Sequence, residues 1–179
     1  MTRWSEQYRA SETARIAPMD TLIAALPGVV PAADGRVALV HGDFRIDNLI
    51  WDRQAPRIRA VVDWELSTLG HPYADISYFC MALRLPRNPV LPGLAGIDRA
   101  AQGIPAEAAL LDAYSARTGL DPRPQWPFLL AFQFFRLAAI AQGVARRAAQ
   151  GNASSAQAVQ AGAMTRTIAE LGVQALATP

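Results

Sequence analysis

The chain has no lysine: all seventeen of its basic residues are arginine. A guanidinium stays charged and forks well onto phosphate oxygens, but it cannot act as a Schiff-base amine or a titrating base. Lysine-dependent chemistry carried by this chain alone is therefore excluded. So is a Walker A phosphate loop, which needs its own lysine. Cysteine is nearly absent too. The one copy, Cys80, rules out an intrachain disulfide and any Cys/His zinc pattern. It lies in the apolar run ISYFCMAL and reads as a small core residue rather than a nucleophile. No basic block occurs, so a net charge of +2 is no sign of a nucleic-acid partner. The opening MTRWSEQYRASETARIAP lacks the apolar centre of a signal peptide. The most apolar run, PFLLAFQFFRLAAIA, is interrupted by Gln133 and Arg136 and is expected to be too short to span a bilayer. These absences predict a soluble, cytoplasmic protein with neither membrane nor nucleic acid among its partners.

What is present suits one ordered domain: 179 residues, 51% hydrophobic and 18% charged. Helix is expected over 5–26, interrupted near Pro18, with Ser11 capping a turn that continues into Glu12. Met19, Leu22, Ile23 and Leu26 recur there at helical spacing. Three short strands follow at 37–40, 49–51 and 58–62, the last two joined by the turn DRQAPR as a hairpin. Residues 73–84 read as a helix with Tyr73, Ile76, Phe79, Cys80 and Leu83 on its core side. A Pro- and Gly-rich loop covers 85–104, long enough to suggest a functional role. Helix resumes with Pro105 at its first position and stops at Gly119. A long core helix spans 126–149. After Gly151-Asn152, an Ala-rich final helix runs to about 176, with Val159, Met164, Ile168 and Leu171 as its stripe. The fold class is α+β and mostly helical, with a small antiparallel β element.

The stretch LVHGDFRIDNLIWD, 39–52, places a polar island between two apolar runs. His41-Gly42-Asp43 closes the first strand, Asn48 opens the second, and Asp63 closes the third. In a hairpin, Asn48 and Asp63 share the open end, and Asp43 lies on the loop leading into it. Two carboxylates and an amide without histidine or thiolate partners suit a hard cation such as Mg²⁺, which completes its shell with water and substrate phosphates. Nucleotide chemistry is the natural inference. Each residue also has a plainer reading. Asn48 and Asp63 could be turn-formers, Arg45 a surface arginine, and Asp47 a solvated loop residue. Trp51, Trp64 and Trp126 read as packing residues.

HGDFRIDN fits H-x-D-x-x-x-x-N, and with VVDWE and LGHPYADISY it resembles the aminoglycoside phosphotransferase (choline-kinase-like) branch of the protein-kinase-like superfamily. RWSEQYRASET and GIDRAAQGIP resemble the subgroup associated with acyl-CoA dehydrogenases. The resemblance implies that the whole chain, 1–179, is the C-terminal lobe of a kinase-like fold: a helical lead-in (1–36), a catalytic and metal-binding β segment (37–72) and a helical subdomain (73–179). It implies that Asp43 is the catalytic aspartate and that Arg45 reaches the γ-phosphate. Asn48 and Asp63 would hold Mg²⁺ on ATP, and Asp75 would be a buried structural carboxylate. His41 would pack behind the loop; Glu65 and His71 receive no role. The implied acceptor is a small-molecule hydroxyl, in this subgroup a hydroxyacyl compound.

A complete kinase of this type carries a smaller N-terminal lobe with a glycine-rich loop and a strand lysine. Only about 40 residues precede the loop here, so the chain is expected to correspond to the larger lobe of a longer protein, with little activity alone. The alternative is an inactive, pseudokinase-like helical domain used for binding or oligomerisation. Apolar surface that a small lobe would cover could also support a homodimer.

Overall fold

The computed structural model describes residues 1–87, 93–150, 160 and 162–178. Two helices open the chain, α1 (Thr2–Ser11) and α2 (Ala17–Ala25), followed by β1 (Ala38–Val40), β2 (Leu49–Trp51), β3 (Ile58–Val61) and β4 (Thr68–Gly70). Then come α3 (Tyr73–Met81), α4 (Glu107–Thr118), α5 (Trp126–Ala149) and α6 (Thr165–Ala177). The Gly151-Asn152 break, Val159 and the centre of the 85–104 loop lie outside the described residues.

Several boundaries differ from the sequence reading for local reasons. The interruption expected near Pro18 falls at 12–16, and Pro18 itself enters the first turn of α2, where a missing N–H costs nothing. Ser11 starts no new turn. As the last residue of α1, it donates its hydroxyl back to the Gln7 and Tyr8 carbonyls, both at 3.0 Å. Pro105 falls outside α4, whose N-cap is Ala106, while Gly119 ends that helix in the left-handed conformation at φ +71°.

The core is organised around α5. Its Leu130, Ala131, Phe134, Phe135, Ala138 and Ala139 are buried against α1, α3 and α6. Close approach of α6 depends on Gly172, where an added Cβ would lie 3.2 Å from Phe134 Cβ and 2.9 Å from Leu22 Cδ1. The 24 residues of α5 reach about 36 Å, so this helix is long and apolar enough to cross a membrane by length and composition. That corrects the expectation that it is too short. Yet 67% of its most apolar window is covered by the protein itself, as for a core helix. Its buried glutamines are paired, as burial requires. Gln142 donates to the Ser11 carbonyl at 3.0 Å and to Thr13 Oγ1 at 2.9 Å. Burial also pushes the Cys80 thiol up to about 12, in keeping with a core residue.

The strands form two separate two-stranded antiparallel sheets. β2 pairs with β3, with Leu49 opposite Val61 and Ile50 opposite Ala60, and a bulge follows before Trp51. β1 pairs with β4, a strand absent from the sequence reading, with Leu39 opposite Leu69. Three residues, Thr68-Leu69-Gly70, are too few to show a period of two; only their partner makes them a strand. The outer face of this layer is apolar and exposed, with Leu69 at 74% and Leu39 at 64%. Trp126 is buried, but Trp51 and Trp64 stand half exposed, and Trp64 packs by its ring against His41.

One ion pair ties three helices together. Arg84, just past α3, forks onto Glu107 at the start of α4 with bonds of 3.0 and 2.7 Å. The Trp126 indole at the head of α5 donates to the same carboxylate at 2.9 Å. Burial alone would raise the Glu107 carboxyl, but Arg84 and the indole outweigh it and hold it below the ordinary glutamate value. A depressed folded value contributes stability that is present above the unfolded value and lost as pH falls through the folded one. Glu107→Gln should therefore cost about 1.5–3 kcal/mol near neutrality and lose most of that effect in acid. Urea unfolding of both proteins at pH 7 and pH 3 measures this; an equal difference at both pH values would contradict it.

Candidate active site

The loop after β1 is held by its backbone. Asp75, in the first turn of α3, accepts the His41 N–H at 2.8 Å and the Gly42 N–H at 3.1 Å. It is half-buried rather than buried, and both its oxygens are committed to the loop. His41 itself is buried. Its Nδ1 accepts the Asp43 N–H at 3.3 Å, so the ring proton sits on Nε2 and is donated to the Val62 carbonyl at 2.9 Å. The imidazole thus joins the loop to the end of β3 while Trp64 packs on its face at 4.7 Å.

The three sequence-predicted oxygen donors come to this end of the hairpin. The Asn48 amide donates to the Asp43 carbonyl at 2.9 Å and to its carboxylate at 3.3 Å. Val62 N–H continues the β2–β3 ladder onto the Asn48 carbonyl at 3.0 Å, which puts Asp63 one residue beyond Asn48's partner. Asp63 is the one non-glycine with positive φ among the described residues, at φ +68° and ψ +50°. Aspartate tolerates that conformation better than most residues, and strain of this kind gathers at working sites. Among the described residues, neither the Asp63 carboxylate nor Asn48 Oδ1 has a hydrogen-bond partner. No group of three or more His, Cys, Asp or Glu there could cage a metal. Two hard oxygen donors on a partly open rim fit Mg²⁺, which takes few protein ligands, better than Ca²⁺.

Arg45 lies beside the loop, but its guanidinium is engaged by Asp47, with Nε at 3.0 Å and Nη2 also in contact. This pairing raises its pKa further. Asp47 is therefore a partner for Arg45, not merely a solvated loop residue. His71 contacts Asp34 at 3.3 Å and packs edge-on against Tyr73 at 4.6 Å, at the head of α3.

Two residues that the sequence reading passed over complete the site. The Tyr78 side chain lies beside the Asp43 carboxylate; burial, then that carboxylate, pushes its phenol well above the ordinary value, so it keeps its proton. The Arg136 guanidinium, from the middle of α5, donates through Nη2 to the Gly42 carbonyl. It lies against the rings of Tyr78, at 5.2 Å, and Trp4, at 5.7 Å. Signals for both existed: Tyr78 follows Asp75 by one helical turn, and a lone charge inside an apolar helix needs partners.

The chain resembles known proteins along most of its length. A sequence profile of the phosphotransferase enzyme family matches residues 1–110. Acyl-CoA dehydrogenase family member 10 of Mus musculus is 47% identical over 169 residues, which are 94% of this chain and 16% of that protein. Acyl-CoA dehydrogenase family member 11 of Homo sapiens is 35% identical over 175 residues, 97% of this chain and 22% of that one. The chain thus spans about a fifth of these relatives (16% and 22%). A crystal structure of a Ralstonia eutropha protein assigned to the aminoglycoside phosphotransferases superposes with a TM-score of 0.91 at 45% identity, covering 98% of this chain and 54% of that one.

Gly42 offers a test of the loop geometry. At φ +85°, a side chain there is strained, and its Cβ would press on the Leu66 carbonyl, with Leu66 C at 3.1 Å. Gly42→Ala should lower stability by about 1–3 kcal/mol, read as a fall in the thermal midpoint. An unchanged midpoint would show that the loop is not locked as described.

Proposed function

The chain belongs to the phosphotransferase enzyme family, and on that premise we propose that it forms the larger, catalytic lobe of an ATP-dependent small-molecule kinase. The observation that carries this reading is the meeting of Asp43, Asn48 and Asp63 at one end of the β2–β3 hairpin, with two oxygen donors left free. Asn48 Oδ1 and the Asp63 carboxylate would hold Mg²⁺. When bound with ATP, Mg²⁺ supplies neutralisation of phosphate charge. Asp43 orients the acceptor hydroxyl and takes its proton on a carboxylate oxygen, while Tyr78 and Asn48 keep that carboxylate in place. Arg45 exchanges Asp47 for the transferring phosphoryl group, where a guanidinium stabilises developing charge.

The acceptor in this reading is a hydroxylated acyl compound. Support comes from relatives named as acyl-CoA dehydrogenase family members, and from the aromatic and cationic side chains near Asp43: Tyr78, and Arg136 on the Gly42 carbonyl. Such surroundings favour an apolar or anionic acceptor over a polycationic one. The exposed outer face of the strands, with Leu39, Ile50 and Leu69, would receive a smaller lobe or, in its absence, a second copy. We place the protein in the cytoplasm. Without a lysine of its own, the chain by itself would turn over slowly.

Mg²⁺-ATP should raise the thermal midpoint by about 3–6 °C at ten times its dissociation constant. The shift should require Mg²⁺, persist in Asp43→Asn and vanish in Asp63→Ala. No Mg²⁺-dependent shift in the unmodified chain, or an equal shift in Asp63→Ala, would sink the reading.

A further inference from the structure

Gly42 is held from both sides: its N–H by Asp75 of α3 at 3.1 Å, and its carbonyl by Arg136 of α5, 94 residues away. Arg136 is placed for this with some precision. Its Nη1 reaches Gln133 Oε1 at 3.4 Å, and Gln133 is itself anchored to the Ala74 carbonyl and Ser77 Oγ, each at 3.0 Å. The rings of Trp4 of α1 and of Tyr78 both lie against the guanidinium, at 5.7 and 5.2 Å. Its Nε is buried with no hydrogen-bond partner among the described residues. An apolar side chain would therefore pack in this helix at lower cost. What the guanidinium supplies is the contact with the loop and with the Tyr78 ring, which lies beside Asp43.

We propose that Arg136 is a positioning residue for Asp43, gripping the Gly42 carbonyl and backing Tyr78 so that the Asp43 carboxylate is held in one orientation toward the acceptor. The proposal rests on the phosphotransferase reading for its catalytic meaning, but not for its geometry. Arg136 touches no reacting atom and acts through Gly42 and Tyr78. It also makes the orientation of Asp43 depend on α1 through Trp4, a connection that neither the family match nor the catalytic-loop motif contains.

Amide hydrogen exchange of the 179-residue chain tests the grip directly. In Arg136→Met, exchange across residues 41–48 should quicken by about ten- to a hundredfold, as for the loss of a hydrogen bond to a charged group. The interior of α5 should keep its protection. Arg136→Lys, which retains one donor, should recover part of the effect, and Tyr78→Phe should loosen Asp43 without disturbing α5. Single-turnover transfer from Mg²⁺-ATP should slow in the same order with half-saturation unchanged. If Arg136→Met does not fold, the lysine and phenylalanine variants decide. Unchanged loop exchange in both, or loosening spread evenly over α3 and α5, would make Arg136 an ordinary packing residue and overturn the proposal. If Mg²⁺-ATP gives the unmodified chain no Mg²⁺-dependent thermal shift, the phosphotransferase reading fails instead. Loop exchange then still decides the positioning role, since it needs no nucleotide.

Discussion

One residue, Gly42, carries the constraint on which the site depends. Its N–H is bound by the first turn of α3 and its carbonyl by the middle of α5. The residue before it is bound to the end of β3, and the residue after it to Asn48. A loop so short cannot hold a charged side chain in place by itself, because ordering its backbone is entropically costly. The buried helices supply the rigidity, and the loop borrows it through a handful of charge-assisted hydrogen bonds.

This explains why a chain so largely helical keeps its chemistry on strands. The apolar face of α5 forms the core with α1, α3 and α6, and the β hairpins sit on the edge of that core, with their outer residues exposed. The layer is thin, two pairs of strands with no shared edge. Its stability comes from what lies beneath it. The apolar outer face and the absence of lysine suit the proposed reading, in which the chain holds the acceptor and metal side of a phosphoryl-transfer site and other groups complete the nucleotide side.

Much of this was legible in the residues. The long core helix over 126–149 matches α5, because fifteen nearly uninterrupted apolar residues admit few other fates. The β2–β3 hairpin was readable from two apolar runs around a proline-containing turn, and with it the shared end for Asn48 and Asp63. Other features were not. β4 exists only as the partner of β1. The half-exposed Trp51 and Trp64 follow from which face of the layer turns to solvent, which strand alternation alone does not say. The engagement of Arg45 by Asp47 is a choice between two partners that sequence leaves equal.

The sequence by itself determined the chemistry available: arginine but no lysine, one inert cysteine, and a catalytic-loop motif whose Asp43, Asn48 and Asp63 are spaced for a hairpin end. Those are properties of residue type and short-range spacing, which the chain carries wherever it goes. Only the tertiary structure decided what holds that motif in place. Asp75 and Tyr78 are more than 30 residues from the loop, and Arg136 is 94 from its contact. Pairings at such separations arise from how helices pack, because a buried charge takes whichever partner the packing brings within reach.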